Sequence, residues 1–296
     1  MRRANAIVAL SAAVALAFSA PPALAQGDAA RGEGVFRAGN CTSCHTDLKN
    51  KGPLLAGGRA LVTPFGVFRG PNITPDPTHG IGRWTDADFI RAMRQGVSPR
   101  GEHYFPVFPY TAFTGLSEQD LLDLKAYLFM LPPVARANEP HEVPFPFNLR
   151  LGAMVWKWLY FREGPLRDDP ARDAAWNRGR YLVEAAGHCA ECHTQRDPLG
   201  GLKRAAWMAG STDGAEGKSA PNITPDRETG IGGWSVADLA YFLANGTQPD
   251  GDVAGGLMAE VIEHGTGRLS DADRRAMVAY LQSLPAIVNK VRRAAK

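Results

Sequence analysis

The chain has 296 residues, 33 Lys and Arg against 30 Asp and Glu, a formal charge of +3 and a hydrophobic fraction of 45%. That length allows one large domain or two ordinary ones. The near balance of charge leaves no basic footprint for nucleic acid, and four cysteines in so long a chain make a poor disulfide scaffold.

Residues 1–25 read as a secretory signal. Arg2 and Arg3 form a positive start, Ala6 to Ala20 is apolar, and Ala23-Leu24-Ala25 is a small-residue cleavage site. A retained membrane anchor fits less well, because the apolar run is short and ends in Pro21-Pro22. The mature chain is expected to begin near Gln26. Loss of Arg2 and Arg3 leaves 31 basic against 30 acidic residues, close to neutral.

Next comes Cys41-Thr-Ser-Cys44-His45, which recurs as Cys189-Ala-Glu-Cys192-His193 and so uses every cysteine of the chain. The pattern C-x-x-C-H attaches a c-type haem: two thiols bond to the vinyl groups and the adjacent histidine ligates iron. A zinc site fits less well, since the two pairs start 148 positions apart, each in its own repeat. A thioredoxin-like motif would need a βαβ pattern, which is absent. Two covalently bound haems are expected, on Cys41, Cys44, Cys189 and Cys192, with His45 and His193 on the irons.

Downstream, Pro71-Asn-Ile-Thr-Pro-Asp76, Gly80-Ile-Gly82, Trp84 and Gly96 recur 150 residues later as Pro221-Asn-Ile-Thr-Pro-Asp226, Gly230-Ile-Gly232, Trp234 and Gly246. Two long copies indicate a duplicated domain rather than a stacked array. Thr85 caps an expected helix that ends at Gly96, and Ser117 opens an amphipathic run that stops at Pro132-Pro133. Its counterpart opens at Ser270 and stops at Pro285, and Asn177 to Ala186 also looks helical. No useful alternating strand run is seen, so the expected fold is all-α: two tandem cytochrome c-like domains, 26–135 and 174–296, each wrapped around one haem. The connector, 136–173, packs Met154, Trp156, Trp158, Tyr160 and Phe161 into a short stretch. It reads as an arm packed across both domains, with a partner-binding or membrane-surface helix as the alternative.

A methionine thioether is the usual second axial ligand. In the second repeat Met258, within Gly255-Gly-Leu-Met-Ala-Glu260, fits better than Met208, which follows the haem motif too soon; Met277 reads as core. Carried back 150 positions, Met258 lands on Phe108, which cannot ligate iron. Three explanations compete for the first repeat: His103 ligates, the iron is open, or a methionine has moved. Met93 and Met130 read as core, and His79 as a loop variant.

Together these motifs, with Phe105-Pro-Val-Phe-Pro-Tyr110 and Gly255 to Val261, resemble the cytochrome c subunits of membrane-associated bacterial alcohol, gluconate and aldehyde dehydrogenases. The resemblance implies electron transfer from a partner dehydrogenase subunit to quinone or a terminal cytochrome, and His193 with Met258 as one axial pair. Many relatives have a third haem domain and a C-terminal membrane helix, neither of which this sequence shows. Relatives lacking methionine in the Phe-Pro-x-Phe-Pro-Tyr motif often carry one a few residues on, where this chain has Thr114-Gly-Leu116. The expected protein is a periplasmic dihaem electron carrier, held at the membrane, if at all, through its partner. The rival is a peroxidase-like or small-ligand redox enzyme with an open first haem, in which Arg100, Glu102 and His103 act as distal groups.

Overall fold

The computed structural model describes residues 26–291; the expected signal segment, residues 1–25, lies outside them. The fold is predominantly helical. In chain order the helices are α1 (Ala29–Ala38), α2 (Cys41–His45), α3 (Asp86–Gln95), α4 (Tyr110–Phe113), α5 (Glu118–Met130), α6 (Arg150–Tyr160), α7 (Ala174–Arg180), α8 (Ala190–His193), α9 (Val236–Asn245), α10 (Gly256–His264) and α11 (Asp271–Gln282).

The termini of these helices follow their sequence signals. Thr85 accepts from Asp88 N while the Asp88 carboxylate returns to Thr85, and Gly96 closes α3 at φ 59°. Ser235, Asp238 and Gly246 do the same for α9. The reciprocal half of the capping box is absent at α5 and α11, because tertiary contacts claim the third-position carboxylates. Ser117 accepts from Asp120 N, but Asp120 accepts from Tyr181 Oη. Ser270 accepts from Asp273 N, but Asp273 accepts from Arg178 Nε at 2.8 Å.

α1 crosses α5 and α7 crosses α11, each crossing pinned by a glycine. A Cβ on Gly32 would lie 1.9 Å from Asp123 O, and one on Gly179 would lie 1.9 Å from Ala276 O. Gly32 precedes Cys41 by nine positions, whereas Gly179 precedes Cys189 by ten. The extra residue is absorbed in Tyr181–Ala186, which winds as a π-helix, the usual way a helix takes up a one-residue insertion. The expected helix over Asn177–Ala186 is therefore present, but not as one regular α-helix.

Two features correct the all-α expectation and the packed-arm expectation. Ala60–Thr63 (β1) and Gly66–Arg69 (β2) form an antiparallel hairpin that pairs Thr63 with Gly66. Pro64-Phe65 sits at the turn, Gly66 takes φ 131°, and the edge is covered where Val67 and Glu142 exchange backbone bonds at 3.0 and 2.8 Å. Four-residue strands are too short for alternation to stand out in the sequence. The connector does bridge both repeats, since Lys157 Nζ donates to Gly96 O at 2.8 Å in the first, and Trp156 Nε1 donates to Leu199 O and Tyr160 Oη to Asp197, both at 2.9 Å, in the second. Most of its apolar face, however, is exposed, with Trp158 80% accessible. One apolar cluster runs through both repeats, from Phe36, Phe89 and Leu121 to Val183, Leu239 and Met277.

Candidate haem-binding sites

Each C-x-x-C-H segment is a short helical turn entered through a left-handed residue: Asn40 at φ 46° before Cys41, and His188 at φ 40° before Cys189. Asn and His are among the few side chains that tolerate this conformation. The turn is then locked to the next loop. Gly57 N donates to His45 O at 2.8 Å and Leu55 N to Thr46 Oγ1 at 2.9 Å. In the second repeat Gly210 N donates to His193 O at 2.8 Å and Met208 N to Thr194 Oγ1 at 3.0 Å.

The proximal histidines are oriented by the repeated Pro-Asn-Ile-Thr-Pro-Asp segment. His45 Nδ1–H donates to Pro71 O and His193 Nδ1–H to Pro221 O, both at 2.8 Å. With the proton on Nδ1, the lone pair of a neutral imidazole lies on Nε2, the tautomer that a metal requires. Burial holds both imidazoles below their usual pKa range although the carbonyl bonds oppose it. The next residue anchors the loop. Buried Asn72 donates to Val134 O and Arg136 O and accepts from Thr74 N and Oγ1 at 2.7–3.0 Å. Asn222 repeats this toward Ile287 O, Thr224 N and Thr224 Oγ1. The duplicated motif thus ties each histidine's acceptor to the chain that follows each terminal helix, a role the sequence reading did not assign it.

None of the four cysteines forms a disulfide. Burial pushes the Cys41 and Cys189 thiols up to about 12 and Cys44 up to about 11, so they stand as thiols. Among the described residues no group of three or more His, Cys, Asp or Glu side chains could hold a metal ion on its own. Two thiols and one imidazole per turn, with its Nδ1 already engaged, fit a covalently tethered haem that brings its own four nitrogen ligands.

The residues that lead into the two turns pack against each other. A Cβ on Gly39 would lie 3.7 Å from Ala186 O, and one on Gly187 would lie 3.7 Å from Ala38 O. His188 Nε2 donates across to Gly39 O at 3.3 Å, and Phe113 meets the His188 ring edge-on at 5.4 Å. Thr111 Oγ1 donates to Glu191, between the second pair of cysteines, at 2.7 Å.

For the distal positions, Met258 lies on α10, part-buried. That helix is held to the first repeat by Arg59, which binds Glu260 at 3.0 Å and Glu216 at 2.9 Å. Met208 is fully buried at φ 60° and occupies the backbone position that Leu55 occupies at φ 58° in the first repeat. The matching donations of Ile73 N to Leu55 O and Ile223 N to Met208 O, both at 2.9 Å, show the equivalence. Met93 and Met277 are core, but Met130, expected in the core, is 73% exposed at the last residue of α5.

His103 pairs in a bridge with Val97, as Val253 does with Thr247, and its Nδ1 lies 3.0 Å from Lys157 Nζ. Lys157, turned inward from α6, also donates to Gln95 O and Gly96 O, and burial lowers its pKa to about 8. An ammonium donating to Nδ1 leaves the proton of a neutral imidazole on Nε2, the opposite tautomer to His45 and His193. Phe108, at the position of the missing methionine, packs edge-on against Tyr104 at 5.7 Å. Arg59 and Lys157 were not singled out by the sequence, since isolated cations carry no motif.

The cytochrome c family model matches residues 29–131. A dihaem c-type cytochrome of Cereibacter sphaeroides is 47% identical over 269 residues, covering 88% of this chain and 87% of that protein. The cytochrome subunit of fructose dehydrogenase from Gluconobacter japonicus is 41% identical over 86% of this chain, and the cytochrome c subunit of gluconate 2-dehydrogenase from Pantoea cypripedii is 38% identical over 86%. The chain spans 52% and 59% of the length of those two relatives. With its paired C-x-x-C-H turns and proline-oriented histidines, this chain belongs to the cytochrome c family, among the dihaem c-type cytochromes.

Proposed function

We propose that the protein is an exported, periplasmic dihaem electron carrier that takes electrons from a partner dehydrogenase subunit and passes them to a terminal cytochrome or quinone. Electron transfer is the work of its family. The observation that carries the two-haem reading is the identical orientation of His45 and His193, each donating Nδ1–H to a proline carbonyl at 2.8 Å. Bound haem supplies one-electron exchange between ferric and ferrous iron.

The chain's own residues do the rest. Cys41 and Cys44, and Cys189 and Cys192, tether; His45 and His193 present Nε2; Met258 offers a thioether to the second site, favouring the ferrous form. The matching crossings of α1 on α5 and α7 on α11 support two cytochrome c-like domains, 26–135 and 174–296, joined by 136–173. Names of relatives that are cytochrome subunits of dehydrogenases support the choice of partner. Among the described residues no helix is long and apolar enough to cross a membrane.

The test is a haem count on the purified protein by pyridine haemochrome. Two haems per chain are expected, falling to one in Cys189→Ser/Cys192→Ser; a wild-type value of one would end this reading. A second reading, redox catalysis at an open first haem, is favoured by the Lys157 contact that occupies His103 Nδ1. Electron paramagnetic resonance of the oxidised protein separates the two. Two low-spin signals indifferent to cyanide mean a carrier, whereas a high-spin signal removed by cyanide means an open iron.

A further inference from the structure

Helix α6 is inverted with respect to an ordinary surface helix. Its outward stripe is Leu151, Gly152, Met154, Val155, Trp158 and Leu159, all exposed and without a charge. Its inward stripe carries the cations. Lys157 is buried against the C-terminal carbonyls of α3, and Arg150 donates to His103 O at 2.9 Å and covers the Phe105 ring at 4.8 Å. Upstream of the helix Phe145 is 77% exposed, and within it Leu151 is 65% exposed. Scattered apolar side chains on a surface need no explanation, but a contiguous patch does.

We infer that this outward face of α6, with Phe145, is the surface on which a protein redox partner docks, and that the partner presents an apolar groove with a pocket for Trp158. The inference rests on the reading of the chain as a carrier fed by a dehydrogenase subunit. Phe145, Leu151, Met154, Val155, Trp158 and Leu159 together expose on the order of 700 Å², close to the ~800 Å² that one side of a standard protein interface contributes. A central exposed tryptophan with aliphatic neighbours is the composition of an interface hot spot.

Charge argues against an anionic lipid surface as the occupant. A membrane-surface helix keeps Lys and Arg where they reach headgroups, whereas both cations of α6 point into the protein and are bound by carbonyls. The charges that follow, Arg162 and Glu163, cancel. Position argues for a redox partner. The inward side of α6 is bonded to the first repeat through Lys157 and to the second through Trp156 and Tyr160, so a partner seated here lies on the element that joins the two repeats.

The test uses the full-length holoprotein with Trp158→Ser and Leu151→Ser; both side chains are exposed, so the variants keep wild-type haem spectra. Extracts of the cells that produce the protein natively, supplied with gluconate, ethanol or fructose, reduce the wild type, and Trp158→Ser raises the half-saturating cytochrome concentration about tenfold with maximal rate unchanged. Trp158→p-benzoylphenylalanine, photolysed in those cells, cross-links to a subunit that mass spectrometry identifies as a dehydrogenase. Equal reduction of wild type and variant overturns the docking face alone. So does a cross-link to a second copy of the chain, or flotation with phosphatidylglycerol vesicles that Trp158→Ser abolishes. A wild type that no dehydrogenase in the extract reduces overturns the carrier reading, and this inference with it.

Discussion

A single histidine's partner separates one candidate ligand from another. His45, His193 and His103 all stand in a haem protein, and all have burial lowering their pKa. The first two donate through Nδ1 to carbonyls; the third faces an ammonium. The same comparison sorts the methionines. Met208 shares its backbone position with Leu55, so a residue that cannot ligate already fills that place in the other repeat. Met208→Leu is therefore expected to leave the visible spectrum and both potentials unchanged, at a cost below about 1.5 kcal/mol for a near-isosteric swap. Met258→Leu is expected to abolish the weak red band of methionine-ligated ferric haem and to lower one potential. A redox titration of the two variants decides between them, and the reverse result would exchange the assignments.

At the scale of elements, the crossing of α1 on α5 depends on one buried carboxylate. Asp123 is fully buried on α5 and accepts from Asp28 N at 2.6 Å, Arg31 Nε at 2.7 Å and Gln119 Nε2 at 2.8 Å. Burial by itself would raise its pKa, but these donors outweigh it and hold the group below the usual carboxylate value. A depressed native pKa contributes stability that is complete above the unfolded-state value of 3.8 and is lost as pH falls through the native value. Asp123→Asn is expected to cost roughly 2–3 kcal/mol at neutral pH, through loss of charge-assisted bonds, and to flatten the dependence of stability on pH below about 4. Guanidinium melts of both proteins at pH 7 and pH 3 measure it; a constant difference between them would show that Asp123 is not titrating. The sequence announced the helix here but not its crossing bonds, because Asp28 and Arg31 lie 95 and 92 residues from Asp123.

For the whole molecule, the relation between the repeats rests on few groups. Arg59, at the start of the hairpin beside the first haem motif, is nearly buried and clamps Glu260, two residues from Met258. Arg59→Gln is expected to cost about 1.5–3 kcal/mol and, by freeing α10, to weaken the methionine band of the second haem. An unaltered band would mean that α10 is held without Arg59. The same scale explains the connector. Dense aromatics usually find a core, yet α6 spends its inward face on Lys157, Ala153 and bonds to both repeats, and the stripe rich in Leu, Met and Trp is left outside.

The sequence by itself determined what is local and periodic: the two C-x-x-C-H turns, the duplication, and the capped helices α3, α5, α9 and α11. Those features depend on spacing within a few residues or on self-similarity, and both survive in one dimension. Only the tertiary structure decided which carbonyl receives each proximal imidazole, where His103 and Met130 point, which way α6 turns, and that a one-residue difference before the second motif becomes a π-helix. Each of these is set by contacts between residues tens to hundreds of positions apart, and their energies depend on distance in space, which spacing along the chain does not encode.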